Sequence, residues 1–200
     1  MTQVQAQTQV ATVVTSAIGK AYSGPVIPLK HRSDCPTAQQ LAATIMSGQN
    51  FGPILRTMVL EGTAQDVAVA NELVAAFVQW YSTGSVTKTR SYVMFEGEVD
   101  GVMHTMVLNT KWYMAFCHQT TGVYTHHEPI GETGLTTEEV AEAVLFTARL
   151  LERIWGTDLS PHLQVYVDAV NSGNYNAVSV SCASNGGPFD IVPIDTEVAY

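Results

Sequence analysis

Thr136 and Glu139 stand three residues apart, and behind them apolar side chains recur at helical spacing as far as Gly156. Val140, Val144, Leu151 and Ile154 make one stripe, with Leu145, Ala148 and Trp155 beside it. A threonine that accepts from the backbone three residues on, with a glutamate reaching back to it, is a capping box. A glycine past the last turn ends a helix. This is the strongest helix signal in the chain. A helix with such a face must bury it, so the rest of the chain has to supply a core.

The same grammar recurs elsewhere. Thr37 and Gln40 form a second capping box and Gly48 closes it, which predicts a helix over 37–47. Gly52-Pro53 is a break, and residues 54–61 form a short apolar element of either type. Thr63 opens a predicted helix over 64–82, ended by Gly84. Its stripes are Val67, Ala70, Val74, Phe77, Tyr81 and Val69, Leu73, Ala76, Trp80, so it is expected to be buried on most sides. Ser160-Pro161 places a cap before a proline at the first helical position and predicts a helix to Asn171.

Between these helices the period changes. Residues 89–99 and 102–109 flank Asp100-Gly101, a strong two-residue hairpin signal. Further strands are expected at Lys111–His118 and Val123–His127. Together these predict a three- to four-stranded antiparallel meander, with the strand around Trp112 and Phe116 central and covered. Asn176–Ala183 reads as another strand. The order of helices, meander, helices and strand predicts an α+β fold. The core is expected over 37–183, after an N-terminal arm and connector over 1–36 and before a C-terminal extension over 184–200. The Gln/Thr-rich leader, Pro25, Pro28, Gly186-Gly187-Pro188 and Pro193 mark those extensions.

Charge is scarce and uneven. Asp, Glu, Lys and Arg make up 14% of the chain, against roughly 25% in ordinary globular proteins. Residues 1–90 hold six Lys/Arg and four acids, a balance of +2, while residues 91–200 hold three and fourteen, a balance of −11. Interface cores are depleted in charge, and such asymmetry between the halves of the sequence suits a nucleic-acid contact, a charged partner or head-to-tail self-association.

The candidate sites follow from these patterns. Lys30, Arg32, Arg56, Lys88 and Arg90 form the basic set. They suit contacts with phosphates or with an acidic neighbouring subunit, or they are scattered surface charge. Glu96, Glu98 and Asp100 alternate, which on a strand makes an acidic ridge near the turn. His104, His118 and His126 fall on the expected meander with His127, and are weak metal candidates. Their convergence depends on strand register, because a one-residue slip moves a side chain to the other face. Imidazoles at a sheet edge or an interface are the plainer reading. Cys117 and His118 are strand neighbours on opposite faces, so they make no nucleophile–base pair, and Cys117 reads as buried and apolar.

Three cysteines without metal spacing suit a reducing compartment. The first residues carry no secretory signal pattern and no run spans a membrane, so the expected location is the cytoplasm or a virion. The sequence holds no GxGxxG, P-loop, GxSxG or HExxH motif. The expected function is a self-assembling structural subunit of viral coat or nucleocapsid type, forming a filament or shell. Its expected partners are other copies of itself and single-stranded RNA within the assembly, with no catalytic residue, cofactor or membrane. The alternatives are a small α+β enzyme or metal- or ligand-binding protein built on the His-rich meander, and an acidic module that binds a basic protein.

Overall fold

A computed structural model describes residues 29–30, 36–87, 92–122, 124–174, 177–185 and 198–199. Most of the expected arm over 1–36 and of the extension over 184–200 lies outside the described residues, as do the side chains of Lys30, Arg32, Lys88 and Arg90.

The capped helices form where side-chain chemistry places them. Helix α1 (Ala38–Gly48) starts at the Thr37/Gln40 box, with both reciprocal bonds made. Helix α2 (Gly52–Glu61) resolves the ambiguous element: Pro53 sits in its first turn and Gly62, at φ +76°, ends it. Helix α3 (Val67–Val86) starts at Asp66, whose carboxylate accepts from the Val69 N–H at 2.9 Å. It packs against α1 and α2 and is buried on most sides, as its stripes require. Gly84 does not end α3. It lies within the helix, and the Tyr92 ring rests on it: a Cβ there would come within 2.7 Å of that ring.

Helix α6 (Thr137–Trp155) has both halves of the Thr136/Glu139 box, and Gly156 follows at φ +51°. Substituting Thr136 with Ala is expected to cost about 1 kcal/mol, because the Glu139 N–H loses its acceptor. The check is the urea midpoint at unchanged slope. A Thr136→Ser variant retains the cap and should unfold with wild type. Helix α7 (Pro161–Asn171) follows, with Gln79 of α3 accepting from the Ser160 N–H at 2.8 Å and so tying its start to the core.

The predicted meander does not form among the described residues. The stretch expected to form the turn and second strand of its first hairpin, and its central strand, is instead helix α4 (Glu98–Leu108) and helix α5 (Thr110–Thr120). Along α4 the buried apolar residues are Val99, Val102, Met103 and Met106, the spacing of one helix face. Along α5 they are Tyr113, Phe116 and Cys117, while Met114 is 62% exposed. Asp100-Gly101 is not a turn. Gly101 sits inside α4, where a Cβ would approach the Thr63 methyl at 2.9 Å, so glycine here permits close packing. The described residues are thus predominantly helical, and the α+β expectation gives way.

A small three-stranded antiparallel sheet accompanies the helices, in the order β2 (Val93–Phe95), β4 (Val180–Asn185), β3 (His126–Pro129). β4 is the expected late strand, and it lies between two strands that are far from it in sequence. Val93 pairs with Ala183 on one side, and His127 with Ser184 on the other. β1 (Leu29–Lys30) and β5 (Val198–Ala199) form a separate parallel pair.

Aromatic rings fill the junction of α3 and α5. Phe116 lies 5.1 Å from Tyr81, 5.2 Å from Trp112, 6.2 Å from Phe51 and 6.4 Å from Phe77, centroid to centroid. Cys117 beside it is buried, as its apolar neighbours predicted.

Candidate functional site

Asp100 and His104 are one turn apart on α4, so both project from one helix face. Asp100 is buried and His104 half-exposed, and Asp100 Oδ2 lies 3.5 Å from His104 Nδ1. The other nitrogen of that ring, Nε2, lies 2.8 Å from Nε2 of His127 on β3. The two imidazoles meet edge to face, with centroids 4.6 Å apart and planes at 85°.

Both supports of this cluster are built into the fold. α4 is held by its buried face and by the tight approach at Gly101. The entry to β3 is pinned where the Tyr113 hydroxyl of α5 donates to the Thr125 carbonyl at 2.7 Å. Backbone pairing with β4 then sets the register of His127.

At 2.8 Å the facing nitrogens share a single proton, one ring donating and the other accepting. Burial, and then the His104 ring beside it, lower the pKa of His127 to about 4. His127 therefore stays a neutral imidazole at neutral pH.

The other expected site residues separate. His118 is exposed near the end of α5, and His126 is exposed on β3 against the Tyr124 ring, 5.0 Å away. Of the three candidate histidines, only His104 joins the cluster, and its partners are His127 and Asp100. Asp100 and His104 were legible as an i, i+4 pair, but only if the segment is helical. Nothing in the sequence links His127 to α4.

The acidic ridge does not form either. Glu98 and Asp100 lie in the first turn of α4, where the helix N-terminus favours acids. Asp100 turns inward to His104, while Glu98 lies 3.1 Å from His162 Nδ1 on α7. Glu72 of α3 lies 3.6 Å from the Nε2 of the same ring. The two carboxylates occupy opposite edges of one imidazole, so they bridge three helices and do not converge on a common point. Of the basic set, Arg56 is placed on the surface of α2.

No helix among the described residues is long and apolar enough to cross a membrane. The chain matches no protein-family model, no curated protein and no solved structure.

Proposed function

We propose that this chain is a self-assembling structural subunit of coat or nucleocapsid type, acting in a virion or the cytoplasm. The observation that carries the reading is where the charge sits. The described residues hold five bases and fourteen acids, a balance of −9, and the remaining residues hold four of each, a balance of zero. The acidic excess lies in the second part of the chain, where residues 91–200 hold three bases and fourteen acids. Four of the five candidate contact residues (Lys30, Arg32, Lys88 and Arg90) belong to sequence before α1 or between α3 and β2.

A first part of the chain that is weakly basic and a second part that is acidic suit contact between copies, the basic residues of one meeting the acidic residues of the next. Leu60, Leu108, Met114 and Val165 are each more than half exposed, and burial against a neighbour gains roughly 25 cal/mol for each Å² taken from water. Single-stranded RNA enters as a partner within the assembly, where weak phosphate contacts repeat along a strand.

The test is light scattering across salt and pH, with electron microscopy and the absorbance ratio at 260 nm. The expected result is a species well above the 21.6 kDa of one chain, in filaments or shells, that dissociates as salt rises. A monomer under every condition overturns it. A monomer that captures a basic protein at low salt would replace it with the acidic-module reading.

A further inference from the structure

We propose that His104 and His127 form a binding site for a first-row divalent cation of the zinc class, with Asp100 positioning His104. Three features of the geometry support this. The two Nε2 atoms face each other at 2.8 Å, and donor atoms of all three residues lie within 4.8 Å of one another. Two nitrogens on a tetrahedral zinc ion, each at about 2.0–2.1 Å from it, stand roughly 3.3 Å apart. The rings need to separate by only about half an ångström to admit the ion between them.

The second feature is the outer partner. Metal-bound imidazoles nearly always present their other nitrogen to a carboxylate or carbonyl, which fixes tautomer and ring angle. Asp100 Oδ2 stands on the Nδ1 side of His104, opposite the nitrogen that faces His127. A proton held at Nδ1 makes Nε2 of His104 the acceptor of its contact with His127, and that lone pair is the one a metal ion would take. Asp100 is buried in the first turn of α4.

The third is the mixed anchoring. One ligand stands on α4 and the other on β3, twenty-three residues later, so the ion would clasp two elements that do not adjoin in sequence. His104 has 54% of its side chain exposed, which leaves an open side for water or a further ligand. Imidazole donors select zinc, copper, nickel or cobalt over calcium and magnesium, which prefer oxygen.

The experiment is calorimetric titration of the full chain, without a polyhistidine tag, with zinc chloride at neutral pH, and with magnesium chloride as the hard-cation comparison. Histidine ring resonances followed by NMR report which imidazoles respond. The expected result is one zinc site per chain, shifting the His104 and His127 rings, with no response to magnesium. His104→Ala and His127→Ala should each weaken binding by at least about a hundredfold, since loss of an outer partner alone costs about 10- to 100-fold. Asp100→Asn should fall within that outer-partner range. His126→Ala and His118→Ala should bind as wild type.

His104 is exposed, so its alanine variant is expected to fold, and circular dichroism checks this. His104→Gln is the second variant, which keeps side-chain volume while removing the imidazole. No zinc binding by the folded wild type overturns the proposal. So does binding that survives in the folded His104 variants, or that is lost equally in His126→Ala. Assembly is scored separately by scattering in the presence of a chelator, so failure of the metal site leaves the structural-subunit reading standing.

Discussion

Replacing Phe116 by alanine is expected to destabilise the fold by about 3–5 kcal/mol, the range for removing a buried aromatic ring. Phe116 is 1% exposed, and five other rings surround it: Phe51, Phe77, Tyr81, Trp112 and Tyr113. These come from α3, α5 and the residue that precedes α2, so one deletion opens a cavity where three parts of the chain meet. Such neighbours are large and mutually locked, and they collapse poorly into a void. Domains are stable by only about 5–15 kcal/mol, so the variant should be partly unfolded at moderate temperature. Phe116→Leu keeps most of the volume and should cost roughly 1–2 kcal/mol. Guanidinium unfolding followed by tryptophan fluorescence measures both. A loss below about 1.5 kcal/mol for the alanine variant would mean that this aromatic junction does not hold α5 in place.

The second large effect is expected at Gly97, which starts α4. Its backbone lies at φ +150°, ψ −152°, a region essentially closed to residues with a Cβ. A Cβ there would also overlap the Tyr166 hydroxyl. That hydroxyl donates to the Glu96 carbonyl at 2.9 Å, and the ring stacks on Phe95 at 5.0 Å. Gly97→Ala therefore combines about 1–3 kcal/mol of backbone strain with about 1 kcal/mol for the displaced hydrogen bond. A double-mutant cycle separates the two contributions. In a Tyr166→Phe background the overlapping oxygen is gone, so the glycine substitution should cost about 1 kcal/mol less there. Equal costs in both backgrounds would show that the tyrosine does not crowd this position. The same variant reports on the site, because Gly97 sets where Asp100 and His104 leave the start of α4.

Much of the helical framework was legible because its signals are local. Thr37 with Gln40, and Thr136 with Glu139, satisfy backbone groups within one turn of their own positions, and no distant residue is needed to place them. The all-round apolar character of α3 likewise implied its central position before any neighbour was known. The middle of the chain was misread for an equally physical reason. Val, Met, Tyr and Phe fill residues 99–117 densely enough to satisfy both a two-residue and a 3.6-residue period over short windows. Asp100-Gly101 then tipped the balance toward a hairpin. Gly101 is glycine because Thr63, thirty-eight positions away, presses against it, and a contact at that separation leaves no mark on the local pattern.

The histidines show the same division. The four in the middle of the chain could be counted from the sequence, but which of them meet depended on a register that proved not to exist. Once residues 98–108 are helical, Asp100 and His104 share a face by the geometry of one turn. His127 reaches them only because β3 pairs with β4, a strand some fifty residues further on. What the sequence by itself determined is the two helices that open on a reciprocal capping box, together with a core large enough to need them. The tertiary structure alone decided whether the central apolar run coils or extends, and which imidazole faces which. Those choices rest on burial and pairing between segments distant along the chain, where local propensity is nearly balanced.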